Sequence, residues 1–224
     1  MKTSLIENLI DRFLTGLQNN QLTDSEASLY LLNALMANFN ETNVTQFLVS
    51  NVKKLLDTDF LSAILPNVDQ PQFQYFIQTS IQFLSSIDWF YKSNTEYLPK
   101  ILHFLFSCMF QSKYQLSSSK AIALICDDCR SDLDQFLPNF EEVINEMVNS
   151  VEVEPLIRER IINSYASIIQ GVKDPFIQGE NLIKILNLID GKAYQVVAEL
   201  NNANGNSGSD TNPDRITTLV NKSQ

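Results

Sequence analysis

One stretch of this chain is used twice, and that repetition restricts the fold more than any other feature. Laying Tyr97-Leu98-Pro99 over Phe136-Leu137-Pro138 brings Ile101, Phe104, Leu105, Cys108 and Met109 onto Phe140, Val143, Ile144, Met147 and Val148. All five pairs are apolar. Their i, i+3, i+4, i+7, i+8 spacing is that of one buried helical stripe, and each stripe follows a proline where a helix's first turn needs no amide donor. Self-similarity at about 39 residues marks a solenoid of helical hairpins, in which no unit can bury its apolar face without a neighbour. The expected class is all-α.

Composition agrees with that expectation. Six glycines and seven prolines, the prolines mainly at segment edges, suit long helices joined by short loops better than a turn-rich β fold. A hydrophobic content of 44% in 224 residues suffices for one core drawn out along a rod. The formal charge of −10 argues against a nucleic-acid partner, because phosphate is held by Lys and Arg, and favours a basic protein partner. Met1 to Leu17 alternates apolar and charged residues instead of presenting a secretory signal, so a reducing compartment is expected and the sequons at Asn40, Asn43 and Asn221 are discounted. The longest apolar run, Ile101 to Phe110, falls short of the roughly 20 residues a membrane span needs. No membrane partner is expected.

The helices can be placed from their apolar periodicity. The first covers about Thr3 to Leu17, with Leu5, Leu9, Phe13 and Leu17 at i+4 spacing, and breaks at Asn19-Asn20. Thr23-Asp24-Ser25-Glu26 has the form of a capping box and opens a helix to about Asn38. Val44 to Leu56 is a third, and Asp57 to Val68 a short helical turn ended by Pro66, its Leu61, Ile64 and Leu65 plugging a groove between repeats. Pro71 to Tyr91 is aromatic inside, with Gln74, Gln78 and Gln82 in an outer row. Then come Thr95 to Gln111, Leu116 to Arg130, Asp134 to Ser150, Glu154 to Gln170 and Pro175 to Leu188, with a further turn at Ala193 to Leu200.

Pairing these gives four and a half hairpins, with steps of about 38 to 51 residues that suit a HEAT or armadillo array better than tetratricopeptide repeats. The expected organisation is a HEAT-repeat α-solenoid of four to five antiparallel hairpins over residues 1–200, a flexible loop at 201–213 and the start of another helix at 214–224. The chain reads as excised from a longer solenoid, since neither end carries a polar capping repeat.

Candidates for chemistry are few. Cys126-Asp127-Asp128-Cys129 is a C-x-x-C, but no strands surround it for a redox pair and no second ligand pair completes a zinc site; two thiols three apart on a helix serve better as small packing groups. His103, the lone histidine, lies off its helix's apolar stripe, in register with Glu142. There is no nucleophile elbow and no phosphate-cradling glycine loop. Adjacent carboxylates such as Glu141-Glu142 point about 100° apart on a helix and form no acid/base couple. No enzyme activity, cofactor or metal is expected. From Asp127 to Glu159, ten acidic side chains face only Arg130 and Arg158. That excess either solvates an outer face and favours helix starts, or steers basic partners.

Ser119-Lys120-Ala121-Ile122, Ile125-Cys126, Asp128-Cys129-Arg130, Leu133 and Phe136-Leu137-Pro138 together resemble the central HEAT repeats of nuclear transport receptors of the importin-β (karyopherin-β) superfamily. The A-x-x-x-I-C-x-x-C-R pattern, with Ser25-Glu26-Ala27-Ser28-Leu29-Tyr30 upstream, is closest to the transportin-SR and importin-thirteen branch, although Thr23-Asp24 stands where that branch often has Trp. The resemblance spans about Thr23 to Ile169. It implies a receptor that shuttles between cytoplasm and nucleus through the pore, binding protein cargo under control of Ran-GTP and, as a full-length molecule, the phenylalanine-glycine repeats of pore proteins. It also implies a cargo surface on the concave, second-helix side. Helix geometry places Gln78, Gln82, Lys120, Asp127, Asp128, Glu159 and Asn163 in the exposed row of that side. A HEAT scaffold with no transport role is the alternative.

Overall fold

The structure, a computed structural model, describes residues 2–40, 42–150 and 153–187. The elements expected at 193–200, 201–213 and 214–224 lie outside them. The chain runs α1 (Lys2–Gln18), α2 (Leu22–Met36), α3 (Gln46–Leu56), α4 (Phe60–Ile64), α5 (Gln74–Ser86), α6 (Asp88–Tyr91), α7 (Leu98–Met109), α8 (Gln115–Cys129), α9 (Leu137–Asn149) and α10 (Pro155–Gly171). Residues 175–187 form α11. Among the described residues there is no strand.

The echoed segments are the same object built twice. Each begins with a 3-10 turn, Thr95–Tyr97 or Asp134–Phe136, and passes into an α-helix with proline in its first turn. Leu98, Ile101, Phe104, Leu105, Cys108 and Met109 are buried on α7, as are Leu137, Phe140, Val143, Ile144 and Met147 on α9. Pro66, Pro71 and Pro155 also occupy first turns, so proline starts helices here and interrupts none of them.

The hairpins form two layers. The first helices are α1, α3 with its extension α4, α7, α9 and α11; the second are α2, α5 with α6, α8 and α10. Second helices pack on one another in series, α2 on α5, α5 on α8, α8 on α10, whereas α7 and α9 approach at few backbone points. Side-chain size accounts for the difference. Between α7 and α9 the rings of Phe106 and Phe140 meet edge to face at 4.9 Å. On the second helices, Ser25, Ser28, Thr79, Ser80, Ser118, Ser119, Ala121 and Ser164 are buried instead. Small side chains let backbones approach, and burying a hydroxyl is tolerated when it donates to a carbonyl. Ser28 donates to Asp24 O at 2.7 Å, Ser80 to Phe76 O at 2.7 Å and Ser164 to Arg160 O at 2.9 Å. The second-helix layer, expected on the concave side, is thus the more closely stacked of the two. This is a HEAT-like α-solenoid.

Polar links one repeat apart tie neighbours together. On the first layer, Lys54 reaches Asp11 at 2.7 Å, Lys53 reaches Glu96 at 3.2 Å and Lys184 reaches Glu141 at 2.7 Å, each pair 43 residues apart in sequence. Lys100 donates to Leu56 O and pairs with Asp59 at 2.9 Å, which holds the Asp59 carboxyl below its ordinary range.

Two expectations are corrected. Thr23 and Glu26 make no capping box: α2 begins earlier, at Leu22, with no side-chain cap, and the residues of that motif are drawn into tertiary contacts. Asp24 pairs with Arg12 at 3.1 Å, Ser25 donates to Phe13 O at 3.2 Å, and Glu26 accepts from Thr79 at 2.7 Å. Nor is 71–91 one helix. It is a 3-10 turn, then α5, a break at Ile87 and then α6, where Tyr91 turns back to donate to Leu84 O at 2.6 Å.

Candidate protein-binding face

The exposed row of the second helices opens into two grooves. The first, of about 560 Å³, lies between α5 and α8 with Asn33 of α2 at one edge, and holds Gln78, Gln82 and Lys120. The second, of about 230 Å³, lies between α8 and α10 and holds Asp127, Glu159 and Asn163. Six of the seven residues placed on this side from the sequence thus come together in adjacent sites. Asp128 does not join them. It turns toward α6, where its carboxylate stands 3.7 Å from the Lys92 ammonium.

Not all six are free to meet a partner. Gln78 accepts from Ser117 at 3.4 Å and so links α5 to α8. Asp127 accepts from Ser167 of α10 at 2.7 Å, leaving its other carboxylate oxygen available. Gln82, Lys120, Glu159 and Asn163 are exposed. The sequence reading missed Lys113 and Leu116 in the first groove, and Leu156 and Arg160 in the second. Arg160 donates to Ser119 of α8 at 2.9 Å, and it sits one residue beyond the acidic window counted from the sequence. A helical-wheel projection of α8 and α10 together would have found it. It tempers the acidity of the second groove to two carboxylates against one guanidinium.

The other acids of that window scatter. Glu141 is paired with Lys184, Asp134 accepts from the backbone N–H of Gln135, and Glu142 lies on the first-helix side in a groove with His103, Phe106 and Phe136. Cys126 and Cys129 are buried on α8 and unbridged. They point to different neighbours: burial, then the adjacent Asp127, pushes the Cys126 thiol up while Ser164 of α10 bonds to it, and Cys129 is raised by burial to about 11 in the company of Asp128 and Lys92. Among the described residues no cluster of three or more His, Cys, Asp or Glu could hold a metal, and no helix is long and apolar enough to cross a membrane.

The candidate surface is thus a pair of grooves along the second-helix layer of a helical solenoid. Residues 4–208 match the family described as the importin beta-like KAP122 middle domain. The chain belongs to this family. The importin beta-like protein kap111 of Schizosaccharomyces pombe is 28% identical over 167 residues, which cover 73% of this chain and 16% of that protein. The chain thus spans about a sixth of the length of the curated relative it matches. No solved structure matches it. Membership of the middle-domain family accords with the two-layer hairpin stack and places both grooves inside the matched region.

Proposed function

We propose that this chain is the middle stretch of a karyopherin, a receptor that carries protein cargo between cytoplasm and nucleus, takes it up along the second-helix grooves and loads or releases it under control of Ran-GTP. Contacts with the phenylalanine-glycine repeats of pore proteins are made through the full-length receptor. The observation that carries the reading is the family match over residues 4–208, within which both second-helix grooves lie. Assignment to the transportin-SR and importin-thirteen branch is supported by Ala121, Ile125, Cys126, Cys129 and Arg130. The first four of these are buried packing residues of α8.

The test is a pull-down of nuclear and cytoplasmic protein by the full-length receptor with and without Ran-GTP. An importing receptor loses its cargo when Ran-GTP is added and an exporting one gains it. Capture that is indifferent to Ran-GTP would refute the transport reading and leave a scaffold.

A further inference from the structure

The groove between α5 and α8 departs from the rest of the molecule in charge. The chain carries 26 acids against 16 lysines and arginines, yet among the described residues the only ionisable groups lining this groove are Lys113 and Lys120. Five lysines elsewhere, Lys53, Lys54, Lys92, Lys100 and Lys184, sit in ion pairs with carboxylates. Neither groove lysine has a carboxylate partner among the described residues, and both are exposed. Lys113, in the turn before α8, rests its ammonium 5.0 Å from the centre of the Tyr114 ring, which steadies the cation without discharging it.

Around the two cations the groove is apolar and amidic. On α8 the groove-lining row runs Leu116, Lys120 and the half-buried Leu124, each one helical turn or about 6 Å from the next. Leu116 is 49% exposed and lines the groove together with the buried Ile81 of α5. The side-chain amides of Asn33 and Gln82 have no partner among the described residues and flank the opening.

We infer that this groove receives an acidic segment of a protein partner, its carboxylates between Lys113 and Lys120 and its flanking apolar side chains on Leu116 and Leu124. The amides of Asn33 and Gln82 bond the segment's backbone. The assignment rests on the cargo-receptor reading and sharpens it, because the net charge alone calls for basic cargo. A basic segment is excluded from this groove, since it would set like charges against two lysines with no carboxylate in reach.

The experiment pans a random peptide display library on the full-length receptor and on its Lys113→Glu/Lys120→Glu form. Both lysines are exposed and bond no other described residue except the Tyr114 ring, so the reversal is expected to leave thermal melting unchanged. Sequences kept by the wild type and lost by the variant should be acidic, with leucine-like residues beside the acid. A synthetic peptide of that sequence should bind the variant about tenfold more weakly, equivalent to about 1.4 kcal/mol. Lys113→Gln/Lys120→Gln should give an intermediate loss, and Leu116→Ser should weaken binding without altering its salt dependence. If the lost sequences are neutral or basic, or if none is lost, the inference is overturned. A parallel arm with Ran-GTP separates the two proposals. Acidic peptides held regardless of Ran-GTP keep the groove assignment and refute transport; Ran-sensitive capture of cargo that ignores the lysines does the reverse.

Discussion

Three glycines provide a graded test of how tightly the layers are stacked. Gly171, the last residue of α10, lies against the turn that ends α8: a Cβ there would stand 2.4 Å from the Arg130 carbonyl oxygen and 2.6 Å from its carbon. Ordinary contact is 3.4–4 Å, and because the obstacle is backbone it cannot rotate away. Relieving the overlap requires α10 and α8 to part by roughly 1 Å, which stretches the Arg160–Ser119 and Ser167–Asp127 hydrogen bonds across the same interface. Overpacking of this kind costs about 1–3 kcal/mol, against at most about 1 kcal/mol that alanine gains over glycine in a helix. Gly171→Ala should therefore be destabilising by about 1–2 kcal/mol. At Gly16 the Cβ would meet Ser25 Oγ at 2.4 Å, a hydroxyl that can rotate if it gives up its 3.2 Å bond to Phe13 O, while the backbone atoms Ser25 N and Gln21 O stand back at 3.1 and 3.3 Å and need only a few tenths of an ångström, so Gly16→Ala should lose less than Gly171→Ala, about 0.5–1.5 kcal/mol. At Gly179 nothing lies within 4 Å, and the same substitution within α11 should stabilise by about 0.5–1 kcal/mol. Urea unfolding followed by far-ultraviolet circular dichroism measures all three. A Gly171→Ala midpoint at or above that of the wild type, or an inverted order, would refute the close stacking of α8 and α10.

Leu105→Ala and Ile144→Ala, matching positions of the two echoed stripes, should each cost about 2–5 kcal/mol, and a neutral result at either would break the repeat register. With burial pushing Cys108 and Cys129 up to about 12 and 11 and Cys126 higher, the thiolate is scarce at neutral pH; all three thiols should resist an aromatic disulfide reagent in the native chain and react at once in urea. Rapid reaction of the native protein would contradict that burial. Asp127→Lys with Glu159→Lys should slow association of a basic cargo with the full receptor at low salt and flatten the salt dependence, whereas Glu142→Lys on the other layer should do little; equal effects would mean that only a diffuse field is at work.

The layered fold was legible because apolar periodicity and first-turn prolines are local signals. Tyr97-Leu98-Pro99 and Phe136-Leu137-Pro138 announced two equivalent helix starts, and both segments fold alike. Thr23-Asp24-Ser25-Glu26 misled for the opposite reason. Its hydroxyls and carboxylates suit a cap, but Gly16 brings α1 so close that Ser25 bonds to Phe13 O, and Thr79 of α5 claims Glu26. Tertiary partners outcompeted the local ones. The site was half legible: which helices line the inner face followed from the hairpin pairing, but where each charge ends did not. Asp128, adjacent to Asp127, is carried to Lys92 by the 100° step of the helix, and Lys113 escaped notice because it stands in a turn outside any periodic stripe.

The signs of the two grooves together constrain what can lie along them. Lys120 and Asp127 are seven residues apart on α8, about 10 Å along its axis, so a single extended segment of a few residues can reach both. A partner uniformly basic enough to be steered by the net charge of −10 is repelled once its chain crosses Lys113 and Lys120. A uniformly acidic one is repelled during approach and again at Asp127 and Glu159. The arrangement that satisfies both grooves is a segment whose acidic part lies against α5 and α8 and whose basic part lies against α8 and α10. Its basic part governs the encounter, because long-range steering falls away beyond a Debye length of about 8 Å. Its acidic part governs register, because only short-range contact with the two lysines can distinguish one groove from the next. If cargo lies along this face as proposed, its selectivity is set by the order of charges along the cargo, more than by their sum.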